Sequence, residues 1–399
     1  MKILFINRQE KKGGAAIAAM RLAEGLKNYY NAEIFFIVEH KQSKNENIFE
    51  CKKNFIIRLI ERIINKITSL LGLQYIWFPF SSKRILELTK RIQPDVISLH
   101  NIHGGYFDTA LLKKLSLRAP IVWTLHDMWP ILANSTYSMT DTWKSMTPHK
   151  YEKKQYPTIS FQWGNYLMKR KKQIFSNLNM QLVTPSKWLN SHINSSPVTN
   201  SLSNSTIFNF TDSTDFNYTS SFEKLDISLL FSALDLTDSR KGGDLMLSIL
   251  NIIDQKTISP LTVNILGSGY IKSKLFTNIQ LQYHPLTKKT KETKAHYLNN
   301  TIFLHTARID NAPLTLQEAT MCGLPCITFD VGGCGEIITD NYNGFAIKPF
   351  DVELYAHQLL LLINDKQLQQ TFKENALDQS KKLFSKENTL DKYYTLFKS

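Results

Sequence analysis

Short runs of apolar residues recur along the whole chain, and most of them end at a glycine turn or a polar loop. Continuous apolar runs of this kind are typical of strands buried on both faces of a parallel sheet. Stretches with apolar residues at helical spacing separate many of the runs. The alternation of the two patterns predicts an α/β fold built on parallel sheets. The predicted strands cover 2–7, 32–38, 95–99, 120–125, 180–185, 227–232, 261–266, 279–283, 302–304 and 325–329.

The length of the chain favours two domains, because 399 residues are long for a single hydrophobic core. The region 196–225 is rich in Ser, Thr and Asn, so the domain boundary is predicted there. We therefore expect a first domain over 1–205, an interdomain linker over 206–225 and a second domain over 226–384.

Basic residues outnumber acidic ones by 48 to 34, which gives a formal net charge of +14. This excess favours anionic partners such as nucleotides, diphosphates or acidic lipid headgroups. Nucleic acid is not expected, since no nucleic-acid recognition motif accompanies the charge. The N-terminal apolar run is too short for a signal peptide, and no stretch has the length of a membrane span. The four cysteines lack zinc spacing and fit a reduced, cytoplasmic compartment.

The first predicted strand leads into Gly13 and Gly14 and then into the helical stretch 15–26. This order of strand, glycine turn and helix opens many nucleotide-binding folds. Its spacing does not match G-x-G-x-x-G, which argues against a nicotinamide-dependent enzyme. A tight turn with a purely structural role is the alternative.

The stretch 301–345 predicts a ligand site at the edge of a sheet. A short strand is followed by a polar loop with Asp310, a helix with Glu318, and a second strand that ends at Gly332 and Gly333. In an open α/β sheet, ligands bind in the crevice at the carboxyl ends of the strands. A helix N-terminus that faces this crevice favours anionic groups such as phosphate.

A related anion site is predicted where Gly242 and Gly243 allow a close approach to the start of a helix. Arg240 and Lys241 stand directly before these glycines. A helix N-terminus with two cations suits a diphosphate, although Arg240 could instead face solvent. The next strand along the chain ends in a further glycine turn, which begins at Gly267.

The stretch 301–345 resembles the donor-nucleotide signature of the retaining GT-B glycosyltransferases of family 4. That signature has two acidic residues with seven others between them, then Ala-x-x-x-Gly-x-Pro and Gly-Gly-x-x-Glu. The first acidic residue here is Asp where Glu is usual, in a D-N-x-P form that recurs in one branch of the family. The matching residues are Asp310, Glu318, Ala319, Gly323, Pro325, Gly332, Gly333 and Glu336.

The resemblance implies a GT-B architecture, in which two Rossmann-like, doubly wound domains face each other across a cleft. In such folds a C-terminal helix, here 385–399, crosses back to the first domain. Glu318 would accept hydrogen bonds from the ribose hydroxyls of the donor, and Asp310 would lie near the sugar hydroxyls. Three loop amides would support the donor, those of Asn311, Ala312 and Leu314.

The resemblance also implies how the donor diphosphate is held. A Lys-Gly at the place of Lys241 binds the distal phosphate in the family, and Gly267 matches the second glycine turn of that domain. The Arg that usually precedes this Lys by several residues is absent, so Arg240 is the candidate replacement. Gly13 and Gly14 match the turn that faces the acceptor and the donor phosphates.

Two further segments, HNIHGGYFD at 100–108 and PIVWTLHDMWP at 120–130, closely resemble the polysaccharide-building branch of the family, the colanic-acid-type transferases. In the family, a histidine at the position of His126 lies beside the transferred sugar, where it can bond the sugar or the acceptor. His100 and His103 are read as hydrogen-bonded side chains. No metal site is predicted, since no third ligand has matching spacing.

Residues 52–79 combine Ile and Leu at helical spacing with five basic residues. A basic amphipathic helix that is followed by Trp77 and Phe78 suits the surface of an anionic membrane. The alternative is an ordinary helix that packs on the core and leaves its lysines in solvent.

Together these features predict a hexosyltransferase-type, retaining glycosyltransferase with His126, Asp310 and Glu318 as catalytic residues. It would move a sugar from a nucleotide-diphosphate sugar to a lipid-linked saccharide in exopolysaccharide, O-antigen (lipopolysaccharide) or capsule synthesis. No metal or other cofactor is expected, and the enzyme would lie peripherally at the inner face of the bacterial plasma membrane. A GT-B sugar-nucleotide epimerase and a non-catalytic nucleotide-sugar-binding partner are the alternatives.

Overall fold

The protein consists of two compact units in a computed structural model. The first unit comprises Met1–Ile207 together with Leu390–Ser399, and the second comprises Phe208–Thr389. Part of the predicted linker, 213–214 and 219–225, lies outside the described residues. The structure describes residues 1–52, 54–138, 163–212, 215–218, 227–257, 259–273, 275–287 and 289–399.

The first unit contains a seven-stranded parallel sheet with helices between the strands. The strands are β1 (Lys2–Gln9), β2 (Glu33–His40), β3 (Ile48–Glu50), β4 (Val96–Leu99), β5 (Ile121–Thr124), β6 (Met180–Thr184) and β7 (Ser203–Thr206). The helices are α1 (Gly14–Tyr30), α2 (Phe55–Leu70), α3 (Pro79–Ile92), α4 (Leu111–Ser116), α5 (Gly164–Phe175) and α6 (Lys187–Ser195). The strand order β3-β2-β1-β4-β5-β6-β7 reverses beside β1, where doubly wound sheets form a crevice.

The second unit contains a six-stranded parallel sheet. Its strands are β8 (Ser228–Asp235), β9 (Leu261–Ser268), β10 (Ile279–His284), β11 (Ile302–His305), β12 (Cys326–Phe329) and β13 (Gly344–Ile347). Its helices are α7 (Gly243–Lys256), α8 (Thr290–Leu298), α9 (Leu314–Met321), α10 (Val352–Asn364) and α11 (Lys366–Leu383). The strand order is β10-β9-β8-β11-β12-β13, so the carboxyl ends of β8 and β11 lie side by side.

The central strands are buried because their side chains are apolar on both faces. Ile3, Leu4, Phe5 and Ile6 of β1 have no exposed surface. Helices cover both faces of such a sheet, so every position of the strand faces a core. This explains why the continuous apolar runs identified the strands.

The last helix, α12 (Lys386–Lys398), contributes its residues from Leu390 onward to the first unit. Leu390 packs directly on Gly25 of α1, where a Cβ would lie 2.7 Å from its Cδ2. The hydroxyl groups of Tyr393 and Thr124 share a hydrogen bond of 2.9 Å. Tyr394 stacks on Tyr30 with ring centroids 3.8 Å apart. The C-terminal helix therefore packs on the first domain, as predicted.

The predicted α/β class with two Rossmann-like parallel sheets is confirmed. All ten predicted strands coincide with observed ones. Three short strands were not predicted, β3, β7 and β13. Two of them, β3 and β7, lie at the edges of the first sheet, and β13 lies at an edge of the second. The strands β3 and β13 are only three and four residues long, and β7 has no apolar side chain.

Candidate active site

The loop between β8 and α7 carries the two predicted phosphate-binding cations. Asp238 caps the short 3-10 turn Ser239–Lys241 by accepting a hydrogen bond from the Arg240 amide at 3.0 Å. Gly242 follows with a φ of +68°, and a Cβ on it would lie 1.8 Å from the carbonyl oxygen of Thr306. Glycine therefore lets this loop touch the loop that follows β11.

This close approach brings Lys241 and Asp310 together in an ion pair, with Nζ 2.5 Å from Oδ2. Asp310 is only 8% exposed. Burial by itself would raise the pKa of Asp310, but the charge and hydrogen bond of Lys241, together with the charges of His305 and Arg240, outweigh it, and the pKa lies below its usual value. Asp310 is therefore ionised at neutral pH and holds the ammonium group of Lys241 in place. Two predicted site residues from different loops thus meet.

The glycine turn after β12 supports Asp310 from the other side. Gly332 has a φ of +61°, and a Cβ on it would lie 1.8 Å from the carbonyl oxygen of Asp310. The amide of Gly333 donates a hydrogen bond of 2.9 Å to the same oxygen. The Gly-Gly part of the motif therefore fixes the backbone that carries the acidic residue.

Glu318 lies on α9, the helix that directly follows the Asp310 loop, and is 7% exposed. The hydroxyl group of Tyr297 donates a hydrogen bond of 3.2 Å to its Oε2. Burial and the charge of Glu318 raise the pKa of Tyr297 well above its usual value, so the phenol keeps its proton. Tyr297 is a site residue that the sequence analysis missed. The available signal was a lone aromatic residue at the end of the charged stretch that forms α8.

The three predicted donor-contacting amides belong to the loop before α9 and to its first turn. Asn311 is buried, whereas Ala312 and Leu314 are partly exposed. The first backbone bonds of the helix run from Leu316 and Gln317 back to the carbonyl of Pro313, at 3.1 and 3.2 Å. At this opening of the helix, the helix dipole favours negative charge. Their contact with a donor stays a prediction.

The structure places the guanidinium group of Arg240 on Asp238, with Nη2 2.6 Å from Oδ2. Arg240 is therefore engaged in its own turn, and its charge also acts on Asp310. A second cation nearby, Arg308, was not predicted. It bonds both carboxylate oxygens of Asp244 at 2.7 and 2.6 Å and the carbonyl of Ser239 at 2.7 Å. Arg308 thus links the Ser239–Lys241 turn to the first turn of α7 through hydrogen bonds.

The other predicted site glycines, Gly267, Gly13 and Gly14, have local roles in backbone packing and at a helix start. A Cβ on Gly267 would lie 2.4 Å from the carbonyl oxygen of Ala233, so Gly267 permits the close approach of β8 and β9. Gly13 precedes α1 with a φ of +92°, and its carbonyl accepts a hydrogen bond from the Ile17 amide at 3.1 Å. Gly14 is the exposed first residue of that helix. Phosphate binding by these glycines is untested.

A separate cluster of histidines lies at the carboxyl edge of the first sheet. His100 Nδ1 is 2.9 Å from His126 Nε2, and His103 Nε2 is 3.2 Å from Asp127 Oδ2. The Trp129 amide donates to the other oxygen of Asp127 at 3.0 Å. Burial lowers the pKa of His126 to about 4, so both imidazoles of the first pair are neutral at neutral pH. The histidines of the segments 100–108 and 120–130 are therefore close together in the structure, and His100 and His126 share a hydrogen bond.

Across the described ranges, no group of three or more His, Cys, Asp or Glu side chains is arranged to hold a metal ion. The four cysteines are free and buried. None of the helices within those ranges is both long and apolar enough to cross a bilayer.

Family models match both units of the chain. The model of glycosyl transferases group 1 covers residues 228–379, and the model of glycosyltransferase family 4 covers residues 12–200. The chain belongs to the family 4, group 1 glycosyltransferases. The family predicted from the motifs is therefore confirmed.

Solved structures of other proteins share the fold of this chain over its whole length. Sucrose-phosphate synthase from Thermosynechococcus elongatus matches with a TM-score of 0.73 at 13% identity, over 100% of this chain and 98% of that chain. Anabaena Alr3699/HepE, solved in complex with UDP-glucose, matches with a TM-score of 0.68 at 13% identity, over 100% of both chains. At such low identity these likenesses establish the GT-B fold.

A curated relative of the family member is the amylovoran biosynthesis glycosyltransferase AmsD of Erwinia amylovora. The two are 31% identical over 122 residues, which are 29% of this chain and 34% of that protein. The chain aligns with less than half the length of each of the curated relatives that it matches.

Proposed function

We propose that the protein is a retaining glycosyltransferase that uses a nucleotide-diphosphate sugar as its donor. The observation that carries the proposal is the Lys241–Asp310 ion pair at the carboxyl edge of the second sheet. The same loop leads directly into α9, which carries Glu318. A fixed cation, a helix N-terminus and a second carboxylate at one sheet edge suit a diphosphate, a sugar and a ribose.

In the proposed reaction, the bond between the anomeric carbon and the diphosphate oxygen breaks, and the electron pair leaves with the diphosphate. An acceptor hydroxyl oxygen bonds the same carbon on the same face and passes its proton to the departing diphosphate oxygen. Lys241 opposes the negative charge that develops on the leaving group. A charge-assisted contact of this kind contributes about 1.5–3 kcal/mol. We propose that this protein charge takes the place of a metal ion.

The carboxylates have distinct proposed roles. Asp310 is oriented by Lys241 and by the Gly332–Gly333 turn, so its remaining acceptor sites suit the hydroxyls of the transferred sugar. Glu318 accepts one hydrogen bond from Tyr297, and a carboxylate can accept several more. The proposed partners of Glu318 are the two ribose hydroxyls.

His126 is the proposed catalytic residue of the first unit. Its imidazole is neutral, which lets it donate or accept a hydrogen bond without carrying charge. His100 holds one ring nitrogen of His126, so the other is left for the sugar or the acceptor hydroxyl.

We further propose that the acceptor is a lipid-linked saccharide and that the product is a surface polysaccharide. The amylovoran-biosynthesis relative supports the polysaccharide, and the UDP-glucose bound to HepE supports a uridine-linked donor. The basic helix α2 supports a peripheral position at the inner face of the plasma membrane, where a lipid-linked acceptor would be met.

The purified protein should be incubated with UDP-glucose, UDP-galactose, UDP-N-acetylglucosamine and GDP-mannose, and release of the nucleoside diphosphate should be followed. We expect slow hydrolysis of at least one donor, with the liberated sugar first formed as the anomer of the donor. Interconversion of the donor sugar without release would instead indicate an epimerase. Binding without any turnover, with or without membrane extract as a source of acceptor, would indicate a non-catalytic partner.

A further inference from the structure

The helix α2 turns its apolar side away from the protein. Phe55 and Ile56 are 75% and 65% exposed, and Ile63, Ile67 and Leu70 are each at least half exposed. A surface helix of a globular protein normally does the opposite and packs its apolar stripe on the core. Glu61 is the buried residue of this fully described helix, with no exposed surface. The polar side of α2 therefore faces the protein, and its apolar side faces solvent.

Glu61 is buried because it caps the start of α3. Its Oε1 accepts hydrogen bonds from the amides of Phe80 and Ser81 at 3.1 and 2.8 Å, and the Ser81 hydroxyl group donates to Oε2. These donors belong to the first turn of a helix, which is a favourable place for negative charge. The carboxylate thus holds α2 in this orientation through three hydrogen bonds.

A buried cation fastens the inner side of α2 to the neighbouring sheet edge. Lys52 Nζ lies 2.8 Å from Glu39 Oε1, 3.9 Å from Glu61 Oε2 and 2.8 Å from the carbonyl oxygen of Gly105. Asn65 of α2 also faces this loop, since a Cβ on Gly105 would lie 3.3 Å from its Nδ2. The inner side of α2 therefore contacts the HNIHGGYFD segment at Gly105.

Three large apolar residues that follow α2 in the chain are exposed as well. Leu71, Trp77 and Phe80 are all exposed. We name this surface the α2 face; its residues are Phe55, Ile56, Leu59, Ile60, Ile63, Ile67, Leu70, Leu71, Trp77 and Phe80. So many exposed apolar side chains on one helix and the segment after it are uncommon on a monomeric soluble protein and mark an interaction surface.

The charges around the α2 face indicate which kind of partner it binds. Arg62 and Lys66 are exposed, and Glu61, the acidic residue of the helix, is buried. Arg58 is paired with Glu50 at 2.5 Å. An apolar helix side with exposed cations complements a bilayer that has anionic headgroups. A second copy of the chain fits less well, because a symmetric contact would bring the same cations close together.

We propose that the α2 face docks in the plane of an anionic membrane, with α2 lying in the headgroup region and not crossing it. Trp77 then sits where amphipathic rings are favoured, at the boundary between headgroups and acyl chains. The docked helix holds the Gly104–Gly105 loop close to the membrane surface through Lys52 and Asn65. Docking itself does not depend on the proposed glycosyl transfer.

The test measures sedimentation of the full chain with vesicles of phosphatidylglycerol and phosphatidylcholine, and with vesicles of phosphatidylcholine alone. Wild type should sediment with the mixed vesicles and much less with the neutral ones. Ile63→Ser/Ile67→Ser should lower the partition coefficient at least about tenfold, because each Ile contributes about 1.5–3 kcal/mol when fully buried. Arg62→Gln/Lys66→Gln should lower it about 30-fold, since each cation contributes about 1 kcal/mol.

Two control variants lie on the same unit but outside the α2 face. Leu117→Ser removes an apolar residue that is 85% exposed, and Lys113→Gln/Lys114→Gln removes two exposed charges from α4. Both should bind vesicles as wild type does. All variants should keep the wild-type melting temperature, because every changed side chain is exposed.

Several outcomes would overturn the proposal. One is failure of wild type to bind the mixed vesicles, and another is an equal loss of binding in the control variants. A third is a wild-type dimer that the Ile63→Ser/Ile67→Ser change dissociates without altering vesicle binding, since the α2 face would then bind a second copy. Loss of donor turnover with intact vesicle binding would count against the proposed function and not against docking.

Discussion

Replacing Lys241 by Met should harm the protein in two separable ways, one in folding and one in donor binding. In the wild type, Lys241 lies 2.5 Å from the buried carboxylate of Asp310. Met keeps most of the volume and apolar contact of the Lys side chain but removes its charge. Asp310 then stays buried without its ion-pair partner.

The stability effect can be worked out from the exposure of the two side chains. Breaking a buried ion pair by removing one partner costs about 3–5 kcal/mol. Here the side chains of Lys241 and Asp310 are 25% and 12% exposed, so solvent screens part of the interaction. We therefore expect a loss of about 2 kcal/mol, which lowers the melting temperature of a unit of this size by about 4–8 °C.

The pH dependence has a definite sign. The lowered pKa of Asp310 in the folded wild type contributes stability above its unfolded value of 3.8, and this contribution is lost as the pH falls through the folded value. In Lys241→Met, the charge and hydrogen bond that oppose burial most strongly are gone, so burial raises the pKa of Asp310. The variant should then lose stability as the pH rises through that higher pKa. Its deficit relative to wild type should be smaller at pH 4 than at pH 7.

A double-mutant cycle separates the free energy of the Lys241–Asp310 interaction from the effect of each side chain alone. Thermal unfolding of Lys241→Met, Asp310→Asn and the double variant gives the coupling free energy between the two positions. We expect the double variant to recover most of the melting temperature, because no buried charge is left without a partner. Additive losses in the two single variants would refute the ion-pair reasoning.

Donor binding supplies the second readout, since restored folding does not restore a phosphate contact. Wild type should bind UDP much more tightly than uridine in isothermal titration. Lys241→Met should reduce that preference by about 10- to 150-fold, the loss of one charge-assisted contact. The double variant should remain as poor as the single one. Equal affinity of wild type for UDP and uridine would remove Lys241 from the diphosphate site.

Three further predictions concern other parts of the two clusters. Glu318→Gln should lower kcat/KM for the donor about 10- to 150-fold in steady-state assays, because ribose hydrogen bonds to a carboxylate are lost; Tyr297→Phe, which keeps the carboxylate, should lower it far less. Gly332→Ala should lower the free energy of urea unfolding by at least about 2 kcal/mol, since its φ is +61° and its Cβ would meet the Asp310 carbonyl. The wild-type protein should lose stability as the pH falls from 6.5 towards 4, because the unfolded state protonates His126 first, and His126→Gln should flatten this part of the unfolding profile.

The central strands of both sheets could be predicted from the sequence because burial on two faces leaves an uninterrupted apolar run. Among the four strands at the sheet edges, β10 was predicted and β3, β7 and β13 were not. The strand β7 reads SNST and is partly exposed throughout, so its pairing with β6 depends on backbone hydrogen bonds and not on apolar side chains. The strand β3 spans three residues. Their existence follows from the neighbouring strand, which a local pattern does not contain.

The candidate site shows the same division between local and long-range information. Asp310 and Glu318 share one loop and helix, so their spacing identified them together. Lys241 was found as a neighbour of a glycine turn, but its pairing with Asp310 depends on the contact between Gly242 and Thr306. Tyr297 comes from another helix and carries no motif. Arg240 was predicted as the candidate replacement for the missing Arg, and its pairing with Asp238 could not be predicted from the sequence; its phosphate contact stays a prediction.

Helix α2 marks a further limit of what periodicity can predict. The spacing of Ile and Leu shows that the helix has an apolar side, but it does not show which way that side points. The direction is decided by Glu61, whose partners are the amides that open α3, and by Lys52, whose partners include Glu39 on β2. Polar contacts of this kind cost little only when they are made with buried, complementary groups. An amphipathic helix whose single acidic residue has such partners turns its apolar side outward, and that side then needs a partner outside the chain.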